Sequence, residues 1–457
     1  MPVYKSRDGL CKVRPAGYSV LVKKFLLSGG ALLGGSAVLS KVLGLWRDRL
    51  LLDIFGAGER LDLIFASFRI PDFFFFLLVG GTISTLFLPR YTHLGEKEKS
   101  QFFSSFLWLV VLSFGIFCGL GVIFTESLTG LFAGGFHESL RAEMIPLSRL
   151  LFGSVFLLAV SSVFAALHQS RHHFLSIAIA PVLYTAGICV GLYLWRDQFG
   201  LLTVGIAAVI GAFVHLLVNM NTSRIGVRDK LFVVKDKIEW VWGKPKKAWK
   251  NFKSDFIFRV TNNAAFQINQ SADVLIGSFL AVGTVGAFSI GTNLGSVLLS
   301  IVGMSIANSA FPKLTHARAD TVLQKKILLE SLGWVLLFTI PVTIIGSIFP
   351  EIILKILFHL EGESLRMATV VFRWTVLSMP FMCAIPVLAR VFLAGGDAKT
   401  PMKITSFTLL VSTGTAAILA LRVLPPEHAI WGLAIGNFTS SVLSAIIFGG
   451  AVWRKMC

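Results

Sequence analysis

Long apolar runs separated by short polar loops constrain this chain more than any other feature of its sequence. An α-helix needs about 20 mostly apolar residues to cross the hydrocarbon core of a bilayer. About twelve runs reach that length, and 55% of the 457 residues are hydrophobic while only 14% are charged. The sequence therefore predicts an all-α polytopic membrane protein with about 12 transmembrane helices. The runs lie roughly at 26–56, 61–88, 103–131, 143–167, 174–195, 201–222, 256–280, 285–311, 327–349, 366–393, 402–421 and 429–452.

The positions of the basic residues predict the orientation of the chain. Lysine and arginine are concentrated at the two termini and in every second loop, and such residues mark the cytoplasmic side of a membrane protein. We therefore expect both termini in the cytoplasm. The net charge of +18 is then an orientation signal, and we expect no nucleic-acid partner. The first apolar run is longer than the core of a signal peptide, which favours an uncleaved first helix.

Two short motifs repeat along the chain at the same interval. PRYTH at 89–93 is matched by PKLTH at 312–316, and Arg149 is matched by Arg373. Six and six spans with matching motifs indicate two parallel repeats, related by an axis along the membrane normal, with the functional cavity between them. The predicted parts are a cytoplasmic basic N-terminus at 1–24, an N-lobe with helices one to six at 25–223, a cytoplasmic basic linker at 224–254, and a C-lobe with helices seven to twelve at 255–457.

The segment 40–72 places charged side chains within apolar helical sequence. A charge near the bilayer centre costs about 2.5–3.5 kcal/mol on insertion scales, so these side chains should line a wet cavity or lie at the interface. Lys41 and Asp48 share one helix face, as do Asp62 and Arg69, because seven residues separate each pair. Two neighbouring helices would then present charge toward a common space.

The common space predicted between these helices is cationic, because Arg47 lies beside the first pair and adds to Lys41 and Arg69. A cationic cavity suits an anionic substrate such as a phosphate or pyrophosphate headgroup. Pro71 should bend or interrupt the second helix just after Arg69, and such a break is tolerated where protein or water satisfies the freed carbonyl groups.

An alternative interpretation of the first charged cluster remains open. If the first span ends near Trp46, then Arg47 and Asp48 belong to an outer interfacial cluster and do not line a cavity. Arg49 and Asp53 fit this alternative better, because they are spaced for an ion pair between residues i and i+4 of one helix.

Two motifs resemble those of a known family. SKVLGLWRDRLLLDIFGAGERLDLIFASFRIPD at 40–72, followed by FLPRY, resembles the N-terminal signature of the MurJ (MviN) family of lipid II flippases, in the multidrug/oligosaccharidyl-lipid/polysaccharide (MOP) exporter superfamily. GGDAKTPMKI at 395–404 resembles the turn before helix eleven of that family. With the spacing of the spans, the resemblance covers essentially the whole chain and implies a MOP/MATE-like fold of two six-helix lobes.

The resemblance implies a transporter, not an enzyme. It would move an undecaprenyl-pyrophosphate-linked peptidoglycan precursor from the inner to the outer leaflet of the bacterial cytoplasmic (inner) membrane by alternating access. The expected partners are the bilayer and a polyprenyl-pyrophosphate-linked saccharide, and the chain is expected to act as a monomer. The alternatives are a MOP exporter of another lipid-linked saccharide or of a small amphipathic drug, and a membrane scaffold that transports nothing. Complementation of cells depleted of their own flippase would discriminate between them.

The family holds pyrophosphate with cationic cavity residues, and the resemblance transfers this role to matching positions. Lys41 stands where the family usually has Arg, Arg47 matches directly, and Asp48 and Asp62 match acidic positions. The headgroup site expected here consists of Lys41, Arg47, Asp48, Asp62, Arg69 and Asn293. The family's Arg-Arg pair and Glu after the helix-two proline fall on Phe75, Phe76 and Gly80, and a cavity Arg of helix eight falls on Asn293. These departures leave the exact headgroup open.

Helix seven carries a polar stripe inside a predicted span. Some family members bind sodium with an acidic residue on helix seven, and Asp273 is the candidate here for coupling to Na⁺ or H⁺. The other interpretation is hydrogen bonding between the lobes, and the membrane potential is a further candidate energy source. No other cofactor is expected, and the five cysteines show no metal-ligand spacing. The stripe consists of Arg259, Asn263, Gln267, Gln270 and Asp273.

Overall fold

The computed structural model describes residues 18–79, 82–221, 263–318 and 320–456, and the regular secondary structure in these ranges is helical. The N-terminal half contains α1 (Tyr18–Phe55), α2 (Glu59–Leu78), α3 (Thr82–Tyr91), α4 (Glu96–Ile123), α5 (Thr125–Phe132), α6 (Glu138–Ser170), α7 (Phe174–Phe199) and α8 (Leu202–Met220). The C-terminal half contains α9 (263–278), α10 (Thr284–His316), α11 (Thr321–Ile348), α12 (Pro350–Phe358), α13 (Gly362–Ala394), α14 (Lys399–Val423) and α15 (Ile430–Met456).

Each of the predicted apolar runs contains helical structure, which confirms the all-α architecture of two six-helix lobes. Nine helices of the described ranges are long and apolar enough to cross a membrane. The remaining runs correspond to α1, to α2 with α3, and to α9, which carry several charged residues or adjoin a range that is not described. The predicted linker at 224–254 and most of the N-terminus at 1–24 lie outside the described residues, although α1 already begins at Tyr18.

The second helix does not break where its proline is found. α2 continues from Glu59 through Pro71 and ends at Leu78, and Val79 forms the turn that follows. The sequence predicts a bend or an interruption at Pro71, and the structure shows no interruption. A proline removes only one backbone hydrogen bond from the helix, and the packing of neighbouring helices around a buried segment can hold the helix together. Ile70 and Pro71 are both buried.

The repeated motifs have the same local structure in both halves. Pro89 lies near the end of α3, and Pro312 lies near the end of α10. The hydroxyl of Thr92 donates to the carbonyl of Leu88 at 2.9 Å, and the hydroxyl of Thr315 donates to the carbonyl of Phe311 at 2.8 Å. The equivalent bonds support the parallel repeat, while the exact domain boundaries stay a prediction.

The turn formed by GGDAKTP begins α14, as the motif suggests. One carboxylate oxygen of Asp397 accepts hydrogen bonds from the backbone N–H groups of Lys399 and Thr400, at 3.0 and 3.1 Å. Gly396 has a φ of +80°, which favours glycine at this position. The hydrogen bonds from the side chain and backbone of Thr400 lower the pKa of the Asp397 carboxyl below its ordinary value.

Glycines allow α7 and α8 to pack closely within the N-lobe. A Cβ atom on Gly211 would lie 2.7 Å from the carbonyl oxygen of Tyr184, and one on Gly191 would overlap the Cβ of Ala207. Small residues that let helix backbones approach are the usual means of packing inside a membrane, where lipid is as apolar as a side chain.

This packing predicts the effect of a single added methyl group. Gly191→Ala should destabilise the N-lobe by about 1–3 kcal/mol, because the new methyl overlaps Ala207 in a close-packed interface. The measurement is the midpoint of thermal unfolding of the purified protein in detergent. Gly449→Ala on α15 is the matched control, since nothing lies within 4 Å of its new Cβ. An unchanged midpoint for Gly191→Ala would contradict this account of the packing.

Candidate functional site

A cavity of about 200 Å³ lies between the two lobes. Side chains of α1 and α2 form its N-lobe wall, and side chains of α9 and α10 form its C-lobe wall. Phe65, Phe68 and Phe288 contribute apolar surface. Its polar lining consists chiefly of Arg47, Arg69, Asp72, Gln270, Asn293 and Ser296. Charged groups of the first two helices therefore meet a polar, uncharged surface of the opposite lobe.

Asp48 holds Arg47 in the cavity wall and also connects the lobes. The Nε and Nη2 atoms of Arg47 donate to one carboxylate oxygen of Asp48, at 3.0 and 2.6 Å. The other carboxylate oxygen accepts a hydrogen bond from the side-chain amide of Asn293 at 2.9 Å. Asp48 is 1% exposed, so both partners are needed to compensate for its burial. The predicted residues Arg47, Asp48 and Asn293 thus come together.

Lys41 lies one or two turns along α1 from Arg47, at the edge of the cavity. Its ammonium group donates to the hydroxyl of Ser296 at 3.3 Å, and Ser296 lines the cavity. Lys41 and Arg47 are therefore directed toward the C-lobe, as the cavity interpretation predicts. Arg49 and Asp53 form the predicted i,i+4 pair at 3.7 Å, with Asp53 44% exposed, and Arg49 also contacts the ring of His359 in the C-lobe at 2.9 Å.

Arg69 and Asp72 occupy the N-lobe wall three residues apart on α2. The Nε of Arg69 is buried without a hydrogen-bond partner. Residues three apart on one helix are neighbours on its surface. Within the described ranges, however, the ion pair of this cavity is that of Arg47 with Asp48, and neither Arg69 nor Asp72 takes part in a hydrogen bond or contact ion pair. The cavity therefore presents a cation and an anion that do not pair with each other.

Asp62 lies outside the cavity, although its spacing from Arg69 suggested a shared space. Its two carboxylate oxygens accept hydrogen bonds from the backbone N–H groups of Gly283 and Gly286, at 2.7 and 2.6 Å. It therefore caps the N-terminus of α10, where unsatisfied N–H groups and the helix dipole favour an anion. Helix periodicity predicts the face of α2 on which Asp62 lies. It does not predict that the N-terminus of α10 lies opposite that face.

Further contacts join the lobes around this cap, and we call this end of the molecule the capped end. The backbone N–H of Gly135 donates to the hydroxyl of Ser278 at 3.0 Å. The hydroxyl of Ser364 donates to the carbonyl of Ala57 at 3.0 Å. A Cβ atom on Gly135 would overlap the backbone of Ser278, so the two lobes approach here as closely as glycine allows.

The residues of the polar stripe predicted for the seventh span occupy several environments, and those that are described lie on α9. Gln270 lines the cavity, and the side-chain amide of Asn263 donates to the carbonyl of Phe76 at 3.2 Å. Asp273 is buried: one oxygen lies 3.4 Å from the side-chain amide of Asn437 on α15, and the other is buried without a partner. Gln267 is also buried, and Arg259 lies outside the described residues.

Phe75 and Phe76, which stand where the family has an Arg-Arg pair, contribute no charge to this region. Phe75 and Phe76 contact each other with ring centroids 5.4 Å apart, and Phe76 is 45% exposed. Gly80 lies outside the described residues. Sequence reasoning omitted Asp72 and Ser296 from the site. Asp72 lies three residues after Arg69, which is the spacing of neighbours on a helix face, and that spacing is the signal that could have identified it.

A family model described as "Lipid II flippase MurJ" matches residues 51–455. The chain belongs to the MurJ family. Among curated members, the "Probable lipid II flippase MurJ" of Borreliella burgdorferi is 24% identical over 430 residues, covering 90% of this chain and 80% of the relative. That of Helicobacter pylori strain J99 is 26% identical over 427 residues, covering 86% and 88%.

Solved structures show the same fold. A structure titled "Lipid II flippase MurJ, inward closed conformation" superposes with a TM-score of 0.76 at 20% identity, covering 93% of this chain and 90% of that chain. An inward-facing multidrug resistance MATE family transporter of the MOP superfamily superposes with a TM-score of 0.66 at 14% identity, covering 94% of each chain. The MurJ family fold of two lobes is thus shared with MATE transporters.

The cap on α10 predicts how this MurJ family member responds to loss of the Asp62 charge. Asp62→Asn should shift the population toward a separated capped end, because an amide cannot accept from both N–H groups. Hydrogen bonds to a charged group contribute about 1.5–3 kcal/mol, which corresponds to roughly a tenfold or larger change in population. Spin labels at Glu138 and Glu363, on opposite lobes, would show longer distances in electron–electron double resonance.

The control for this measurement is Asp197→Asn on α7, which removes a carboxylate that is 90% exposed. Its pair with Arg196 is exposed, and exposed pairs contribute little. The label distances should therefore remain those of the parent protein. Equal distance distributions for Asp62→Asn and the parent would show that the cap does not hold this end closed.

Proposed function

We propose that this chain is a lipid II flippase of the cytoplasmic membrane, serving peptidoglycan synthesis. It moves an undecaprenyl-pyrophosphate-linked headgroup from the inner to the outer leaflet by alternating access of its two lobes. Membership of the MurJ family supports the activity. The single observation that carries the mechanism is the interlobe cavity, in which Arg47 and Arg69 face the polar residues of α10. The cavity lies between lobes of one chain, so a monomer suffices.

The headgroup would enter the cavity while the isoprenoid tail stays in the bilayer. Arg69 offers the guanidinium that is not already engaged, and a phosphate oxygen would receive its charge-assisted hydrogen bonds. Asp48 fixes the orientation of the Arg47 guanidinium, and this orientation sets the direction of the N–H groups that do not bind Asp48. Lys41 at the cavity edge adds a point charge that favours entry of an anion.

The capped end is the outer end in this proposal. The distribution of basic residues supports cytoplasmic termini, and with that orientation α1 would run outward and end near the capped end at Phe55. The Asp62 cap and the Gly135–Ser278 contact then keep the outer side closed while a headgroup is taken from the inner leaflet. Release requires these contacts to separate as the lobes rock against each other.

Asp273 is the residue we propose for ion coupling. A buried carboxylate oxygen without a partner, beside the neutral amide of Asn437, fits a bound cation or proton. A cation bound there would supply positive charge that compensates for burial of the carboxylate. Asp273 lies between Gln270 and Val274 on α9, two residues that line the headgroup cavity, which sets the proposed ion site next to that cavity.

A related cargo is the second candidate. Phe75, Phe76 and Asn293 make the cavity less cationic than the family pattern, which favours another lipid-linked saccharide with fewer negative charges. The named charged groups of the cavity sum to +1, which favours a ligand of net negative charge and disfavours a drug that carries only positive charge. Transport assays with defined lipids separate these candidates from a scaffold without transport activity.

The first prediction for this function concerns Arg47. Purified protein in liposomes should accelerate movement of labelled lipid II across the bilayer, and Arg47→Ala should reduce that rate by at least about tenfold, since a charged hydrogen-bond donor is lost from a buried site. Arg47→Lys should retain part of the activity. Arg196→Ala, in an exposed pair on α7, is the control and should transport normally. Full activity of Arg47→Ala in folded protein would refute the proposed site.

The second prediction concerns Asp273. If a cation or proton acts there, Asp273→Asn should remove the dependence of transport on an imposed Na⁺ or H⁺ gradient, because the amide carries no charge. The measurement is the initial flipping rate in liposomes with and without each gradient. Coupling at this residue would be ruled out if neither gradient changed the wild-type flipping rate and Asp273→Asn left that rate unaltered.

A further inference from the structure

The cavity carries charges of both signs, and most of its cations are already engaged. Arg47 is held by Asp48 at 2.6 Å, and Lys41 donates to Ser296. The remaining charged groups of the wall are Arg69 and Asp72, which belong to neither interaction. A ligand entering the cavity therefore meets one free guanidinium and one free carboxylate.

Arg69 and Asp72 do not pair with each other, so each is available to a ligand. They lie three residues apart on the continuous helix α2, and the Nε of Arg69 is buried without a partner. Buried charges are normally paired, because desolvation of an isolated charge is costly. Two opposite charges on one wall that do not pair with each other point to a ligand that supplies a partner to both.

Charge balance leads to the same conclusion. Lys41, Arg47 and Arg69 contribute three positive charges, and Asp48 and Asp72 contribute two negative charges, so these residues carry a net charge of +1. A diphosphate diester brings two negative charges, which would leave the filled cavity with an excess negative charge. Asp273 is buried on α9, three residues from the cavity-lining Gln270, and it adds to that excess when ionised. A protonated amine on the headgroup would offset it.

We propose that Asp72 is a specificity residue that selects a dipolar headgroup, with the diphosphate on Arg69 and a protonated primary amine of the same headgroup on Asp72. This inference rests on the proposed flippase function and names the substrate class more narrowly. The substrate is a lipid-linked diphosphate saccharide whose headgroup carries a free ammonium group. Blocking the amine removes the partner of Asp72 while the diphosphate still binds Arg69.

The experiment compares two synthetic lipids in liposomes that contain the full chain. Both carry the same diphosphate, saccharide and lysine-containing peptide, with a nitrobenzoxadiazole label on the saccharide, and they differ only in a free or an acetylated lysine ε-amine. Flipping is followed by quenching with dithionite, which does not cross the bilayer. The wild-type protein should move the free-amine lipid about tenfold faster, the effect expected of one buried charge pair.

Variants of Asp72 separate recognition from a structural role. Asp72→Asn should abolish the preference, so that the ratio of the free-amine rate to the acetylated-lipid rate falls from about ten to about one. Asp72→Glu should keep a preference for the free amine. Asp197→Asn is the matched control, since this carboxylate is 90% exposed and far from the cavity in sequence. It should behave as the wild type.

Different outcomes contradict different claims. Equal wild-type rates for the two lipids, or a uniform change of both rates in Asp72→Asn, would overturn the inference and leave the flippase function intact. Failure of the wild-type protein to move either lipid would refute the function. In that case the binding of short-chain, water-soluble forms of both compounds decides the inference. A wild-type preference for the amine that Asp72→Asn abolishes would support it, and equal binding would overturn it.

Discussion

A carboxylate buried between helices must be hydrogen-bonded, and two such carboxylates connect the lobes of this MurJ family member. Asp48 accepts from Asn293, and Asp62 accepts from the backbone at the start of α10. In both cases the C-lobe contributes an uncharged donor. A hydrogen bond of this kind stabilises the closed arrangement but can be replaced by water when the lobes separate. An ion pair buried at the same place would be much harder to break, because it would leave two unpaired charges.

The contacts of α10 link the capped end to the cavity. Gly283 and Gly286 at its beginning hold Asp62, Asn293 holds Asp48, and Ser296 accepts from Lys41. These residues span about 20 Å of one helix at 1.5 Å per residue. A helix moves as a rigid unit over such a length, so displacement of its N-terminus also displaces the cavity wall. The π-helical turn at Leu299–Met304 follows directly and is a point at which the rest of α10 can adjust.

The sequence predicts the architecture well because apolar length and basic loops depend on local composition alone. It also predicts that Arg47 and Asn293 face a common cavity, through helix periodicity and the resemblance to the MurJ family. Periodicity identifies the face of a helix, but the partner of that face depends on how distant segments pack. For that reason Asp62 was expected beside Arg69, although the N-terminus of α10 stands opposite it. The capping role requires a helix end more than 200 residues away in sequence.

The continuity of α2 through Pro71 gives the cavity its mixed character. A break at the proline would have placed Asp72 on a new helix with an independent direction, away from Arg69. The unbroken helix instead sets the two on neighbouring positions of one face, and both line the cavity. Asp48 already compensates the charge of Arg47, so the wall carries little net charge. The wall therefore selects a ligand by the positions of the ligand's charges more than by their number. A flippase cavity of this kind disfavours ligands that leave either group unpaired, because a charged group covered by a ligand loses its water and needs a partner to compensate.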